Sequence, residues 1–289
     1  MSFARLRRTG RRIIIKTRRT LESLFGPANF RIHLALGLPY FGTFLHANQL
    51  SSSRRSHLED AAKLALINNP ECNFLEIGSW AGSSALVWGS VLRNFTVRSS
   101  LTCIDPWEDY SSLENLPKMR RALKNDAIYS LFVHNLGASG YERVIRTVRM
   151  PSSRAFEQLR SEKFGLIYID GNHSYSIVLE DLQNYGNLLE EGGIICGDDL
   201  ELQASEVDQD MMRSAREKDC IADPRTGKRY HPGVSGAIAD YFGSVSSFDG
   251  FWVMQKDHDR WLPVRDMRSE VAEFPRNTKI HERLEVTIR

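Results

Sequence analysis

N-F-L-E-I-G-S-W-A-G-S-S, running from Asn73 to Ser84, takes an apolar strand into an acid and then into a glycine-rich turn that opens a helix. Turns of this kind bind nucleotide-type ligands, because the free N–H groups at a helix start point outward. Gly78 and Gly82 lack Cβ atoms, so the turn can take positive φ and bring backbone close to a ligand. The spacing G-x-x-x-G departs from the dinucleotide fingerprint G-x-G-x-x-G, and Glu76, just ahead of the first glycine, would repel a pyrophosphate. Such a turn suits a cationic or amine-bearing ligand better.

A second apolar run, 101–104, ends in Asp105 about one β-α unit later. Adjacent parallel strands would set Asp105 beside the glycine turn, where a carboxylate can accept hydrogen bonds from vicinal ribose hydroxyls. E-I-G-S-W-A-G-S-S, C-I-D-P-W, L-I-Y-I-D-G-N-H-S-Y and G-G-I-I-C-G-D-D resemble the successive motifs of class I S-adenosylmethionine-dependent methyltransferases. The I-D-G-x-H-S-Y and G-D-D pair is similar to a bacterial branch of metal-dependent sugar and macrolide O-methyltransferases and their cephalosporin-cluster relatives. The resemblance spans roughly Leu58 to Lys256 and leaves the substrate open.

Around these motifs strands and helices alternate. Helical spacing at 57–68 stops at Asn69-Pro70; strands follow at 73–77, 101–104, 143–148, 164–170 and 192–197, with helices at 83–92, within 117–133, from 151–153, and at 176–189. Near-continuous apolar strands separated by helices predict an α/β, doubly wound, mostly parallel sheet covered on both faces. The resemblance implies seven strands in a Rossmann-like methyltransferase fold, with the last, 250–255, antiparallel near the edge. Residues 1–55 read as an N-terminal extension, basic and then apolar, 56–256 as the S-adenosylmethionine-binding domain, and 257–289 as a charged tail. The polar segment 203–229 reads either as a substrate-side lid or as disorder.

The 289 residues are 42% hydrophobic and 26% charged with a net charge of +2, so no global charge argues for a nucleic-acid partner. Local charge is uneven: residues 1–20 hold eight Arg or Lys and no acid. That leader reads as a peripheral contact with anionic lipid, an arm for phosphate-rich partners, or a solvated extension. Cysteines 72, 103, 196 and 220 lack C-x-x-C spacing and read as reduced residues of a cytoplasmic protein. No apolar run reaches the length of a membrane span and no signal-like segment follows the basic start. A homo-oligomer is compatible with the sequence, as is attachment to the inner membrane face.

Asp170, Asp198 and Asp199 each follow an apolar strand, and adjacent strands would crowd their carboxylates. Crowded carboxylates call for a cation or for protons, and an all-oxygen set favours Mg²⁺ or a similar divalent ion. The plainer alternative is that Asp198-Asp199 turns the chain and Asp170 is a solvated strand-end acid. The resemblance implies metal ligation at these acids and a general base at His173, whose ordinary pKa of about 6.5 suits proton removal at neutral pH; a loop histidine can equally serve the backbone. For the cofactor it implies Glu76 at the methionine amine or ordering the turn, the stretch Gly78, Ser79, Gly82 and Ser83 for backbone contact, and Asp105 at the ribose. Ser152 and Ser153 either line the adenine pocket or cap their helix. The expected reaction is methylation of a hydroxyl on a sugar, glycan or other small metabolite, catalysed by His173 and Asp170. The alternative is a non-catalytic scaffold docking through its basic leader.

Overall fold

The computed structural model describes residues 25–47, 50–95, 98–109 and 117–271. The basic leader 1–20 and the last part of the expected tail, 272–289, lie outside them.

Helix α1 covers residues 25–35, and α2 (Ser52–Asn68) starts where the Ser51 side chain accepts the Arg54 N–H. The doubly wound core follows in chain order. It comprises β1 (Phe74–Ile77), α3 (Ser83–Phe95), β2 (Leu101–Ile104), α4 (Pro117–Lys124), α5 (Ala127–Ser139), β3 (Ile145–Val148), α6 (Ser152–Leu159), β4 (Phe164–Ile169), α7 (Tyr175–Gly186) and β5 (Leu189–Gly197). Beyond it lie α8 (Gln209–Ala215), β6 (Ile221–Ala222), β7 (Arg229–Tyr230), α9 (Pro232–Phe242), β8 (Ser246–Phe248), β9 (Phe251–Asp257), β10 (Arg260–Pro263) and α10 (Met267–Glu270).

The sheet runs β3-β2-β1-β4-β5-β9, and β8 and β10 share the outer edge of β9. Eight strands therefore fill seven positions. The pairs from β3 through β5 are parallel, and β9 is antiparallel to β5. Alternate strand residues face opposite layers, as the two-residue strand period requires. Phe74, Leu101, Cys103, Leu166 and Tyr168 join one core with α2, α3 and α5, whereas Leu75, Ile77, Ile104, Ile167 and Ile169 join a second with α6, α7 and α9. The strand order reverses between β1 and β4, and this opens a crevice at the C-terminal ends of the strands.

Three local expectations change. The helix expected within 117–133 is broken into two, because Asp126 adopts left-handed φ of 55°. Segment 203–229 is folded: it carries α8 and the two-stranded β6-β7 pair. Sheet and core also continue past residue 256, since β10 extends the edge and Val264, Met267 and Val271 are buried beside α2. At the other end, the Asn135 side chain of α5 bonds both backbone groups of Tyr40 and ties 40–47 to the domain. Among the described residues no helix is long and apolar enough to cross a membrane.

Candidate active site

A cavity of about 530 Å³ opens at the C-terminal ends of β1, β2, β4 and β5. Its β1 side is built by the glycine turn. Gly78 has φ of +90°, and a Cβ there would lie 2.1 Å from the Asp170 carbonyl oxygen, so the turn can pass the end of β4 only as glycine. Glu76 sits fully buried beneath the turn, where its Oε2 accepts the Ser79 hydroxyl at 2.9 Å and the Cys103 thiol at 3.3 Å. Burial pushes its carboxyl up to about 7, against the hydrogen bonds that favour the ionised form. Asp105 accepts the Trp80 N–H at 2.9 Å and the Trp107 N–H at 2.7 Å, one on each oxygen. Both tryptophans adopt left-handed φ, 45° and 49°, and the Trp107 indole N–H closes the bracket on the Trp80 carbonyl at 2.7 Å. Burial raises Asp105 to about 6.

Opposite this turn, β4 and β5 deliver the acids. Asp170 follows Ile169 and accepts the Tyr168 hydroxyl at 2.8 Å; burial and the neighbouring Asp199 raise it to about 6. His173 lies between two carboxylates, with Nε2 at 3.0 Å from Asp199 Oδ2 and Nδ1 at 2.7 Å from Asp219 Oδ1. Burial opposes its charge, yet the bonds and charges of Asp199 and Asp219 hold it well above the usual histidine range. His173 in turn holds Asp199 down at about 2 despite burial. On the outer side, His231 Nδ1 stands 3.1 Å from both Glu201 oxygens and 3.9 Å from Asp199 Oδ1. Helix α9 brings His231 this close because its second residue is Gly233, where a Cβ would lie 2.2 Å from the His173 carbonyl.

Gly78, Ser79, Ser83, Asp105, Ser152, Asp170, His173, Asp198 and Asp199 all line the one cavity. Glu76 lies under its floor. Gly82 packs on Phe132, and Ser153 is exposed on α6. Neither serine caps that helix: the N-cap is Pro151, and Ser152 instead gives its carbonyl to the Tyr185 hydroxyl. Asp198 ion-pairs with Arg54 of α2, and the side chains that converge as a potential ligand set are Asp170, His173 and Asp199. In this arrangement each ring nitrogen of His173 faces a carboxylate, Nδ1 that of Asp219 and Nε2 that of Asp199.

No sequence pattern assigns a site role to Arg54, Tyr168, Asp181, Asp219 or Glu201, and His231 is marked only by the resemblance of His231-Pro232-Gly233-Val234 to the stretch before the penultimate helix of that bacterial branch. Asp181 carries a local signal, as an acid on the apolar face formed by Val178, Leu182 and Tyr185 of α7. It is 2% exposed and raised by burial to about 7, with Oδ1 lacking a hydrogen-bond partner on the cavity wall.

Residues 75–200 match a family model described as a methyltransferase domain. No curated protein matches the chain in sequence. Among solved structures it is similar to the O-methyltransferase NovP, at 13% identity and a TM-score of 0.50, covering 71% of this chain and 80% of that one. It is also similar to an O-methyltransferase from Bacillus cereus in complex with S-adenosylhomocysteine, at 15% identity and 0.46, covering 79% and 88%. A third is TomG from Streptomyces achromogenes, an O-methyltransferase in complex with S-adenosylmethionine, at 15% and 0.46, covering 78% and 86%. At such identities structural likeness speaks to the fold alone. Residues 75–200, a little under half of the chain, are thus similar to a methyltransferase domain, and the sheet order with the glycine turn and strand-end acids at one edge agrees with that match.

Proposed function

We propose that the chain is an O-methyltransferase acting on a hydroxyl of a sugar, glycan or other small metabolite, assisted by a divalent cation. The observation that carries this reading is the convergence of Asp170, His173 and Asp199 on the same cavity as the glycine turn and Asp105. S-adenosylmethionine supplies an electrophilic sulfonium methyl group when bound. The site fits it: the cavity is of ligand size, the Gly78–Trp80 backbone faces it, and the unpartnered Asp181 oxygen is suited to the amino group of a base. A cation held by Asp170, His173 and Asp199 would lower the acidity barrier of a bound hydroxyl, and this oxygen–nitrogen donor set suits a divalent ion.

The chain's own residues hold the acceptor oxygen near the methyl group and receive its proton. Asp170 lines the cavity where that proton is released, and a carboxylate in this place can receive it. Tyr168 fixes the orientation of that carboxyl. Calorimetric titration with S-adenosylhomocysteine in magnesium buffer tests the cofactor half, with one-to-one binding expected. Asp170→Asn should leave that affinity within a few-fold and cut turnover by roughly 10²–10⁴. Absence of binding by folded protein, or undiminished turnover of the variant, defeats the reading.

A peripheral membrane contact is favoured by a separate observation. Phe25, Ile32, Leu34, Leu36 and Leu38 are exposed on and just after α1, immediately beyond the acid-free leader with its eight basic residues. Apolar insertion next to basic charge matches an anionic lipid surface. The protein should float with phosphatidylglycerol-containing vesicles and not with pure phosphatidylcholine, and the Ile32→Asp, Leu36→Asp variant should lose this. Equal recovery with both vesicle types would remove the charge argument.

A further inference from the structure

The acids and histidines do not end at the cavity wall. Asp170, His173 and Asp199 bring one ligand atom each within 4.8 Å of one another, and so, separately, do Asp199, Glu201 and His231. Asp199 belongs to both groups and turns a different oxygen to each: Oδ2 is 3.0 Å from His173 Nε2, and Oδ1 is 3.9 Å from His231 Nδ1. A carboxylate whose two oxygens face two separate donor sets is the geometry of a bridging ligand.

The outer group has its own coordination logic. His231 Nδ1 is equidistant, at 3.1 Å, from the two oxygens of Glu201, and its side chain is 13% exposed. With metal–ligand bonds near 2.1 Å, neighbouring ligand atoms of a six-coordinate ion stand about 3 Å apart, so these atoms need little movement to hold one. Charge favours it as well. Asp170, Asp199, Glu201 and Asp219 crowd around two imidazoles, and the Arg54 charge is committed to Asp198. Carboxylates gathered in this way call for cationic compensation. Imidazole nitrogen in both groups points to Mn²⁺, Co²⁺ or Zn²⁺ more than to Mg²⁺.

We propose that Asp199 bridges two divalent cations, an inner one held by Asp170, His173 and Asp199 and an outer one held by Asp199, Glu201 and His231. This rests on the metal-assisted reading above for the inner ion and adds a second site to it. Neither Glu201 nor His231 lines the cavity. The outer ion is therefore a positioning element: it fixes Asp199 and ties the start of α9 to the end of β5.

Equilibrium titration of the full chain with Mn²⁺, following the free-ion electron paramagnetic resonance signal, counts the sites. Two Mn²⁺ per chain with an exchange-coupled low-temperature spectrum are expected. Glu201→Gln, at a half-exposed position, and His231→Gln should each reduce this to one ion with an uncoupled six-line spectrum, while S-adenosylhomocysteine affinity stays within a few-fold. One ion per chain, unaffected by either variant, overturns the outer site and leaves the inner one standing. No binding at all overturns both.

Discussion

Asp105 serves the loops around it as much as any ligand. Each oxygen takes one backbone N–H, from Trp80 and from Trp107, and so holds two non-glycine residues at positive φ. That leaves only the remaining lone pairs to face the cavity. Asp105→Asn would keep one acceptor and set an amide N–H₂ against the other N–H. The expected loss is about 1–3 kcal/mol of stability, the cost of one unsatisfied buried donor, together with at least tenfold weaker binding of S-adenosylhomocysteine. Denaturant melts and calorimetry check both, and an unchanged affinity would show that the loops hold without the carboxylate. Legibility at this scale follows locality. Glu76, Asp105 and Asp170 stand out in the sequence because an apolar strand ending in an acid is a local pattern with a fixed place in a parallel sheet. Asp219 and Glu201 do not: they meet His173 and His231 across 46 and 30 residues, and no spacing rule connects them.

Helix α9 shows how an element, more than a side chain, sets the site. It packs along α7, and the missing Cβ of Gly233 lets its first turn rest on the backbone at His173, Tyr175 and Arg216. In Gly233→Ala the new Cβ would stand 2.2–2.5 Å from three backbone atoms that cannot swing aside. The helix start must shift and carry His231 with it. An overpacking cost of about 1–3 kcal/mol is expected, with the midpoint of thermal unfolding lowered and cation binding weakened more than S-adenosylhomocysteine binding. Equal weakening of both would mean that the distortion spreads across the sheet. The central strands were readable because each is a short apolar run bounded by turn residues. β10 was not, because Arg-Trp-Leu-Pro at 260–263 is an edge strand on which most side chains are exposed, so no apolar pattern marks it. The break between α4 and α5 was hidden for a different reason: Asn125-Asp126 can continue a helix or leave it, and only packing decides.

At the scale of the whole molecule, the cavity is lined and underlain by carboxyls whose hold on protons burial strengthens. Glu76 and Asp181 are raised to about 7 and Asp105 to about 6, from ordinary values of 4.5, 3.8 and 3.8. Between the unfolded and folded values the native state binds more protons than the unfolded chain, so stability falls as pH rises. His173 has the same sign. Its folded value is raised above 6.5 by Asp199 and Asp219, so its contribution is complete below 6.5 and is lost as pH rises through the folded value. Asp199, held at about 2, acts oppositely, but its contribution is lost only as pH falls through about 2, outside the window. The ligand-free protein should therefore melt highest near pH 5 and progressively lower to pH 8. Glu76 alone accounts for up to about 3 kcal/mol of that fall, at 1.36 kcal/mol for each unit of its shift. Glu76→Gln removes the charge that has to be buried at high pH, so the variant should gain on the native chain at pH 8 and show no gain at pH 5. Scanning calorimetry of both proteins at pH 5, 6.5 and 8 decides the matter. A flat profile for the native chain would mean that water reaches these carboxyls, and parallel profiles for the two proteins would place the pH dependence in residues other than Glu76.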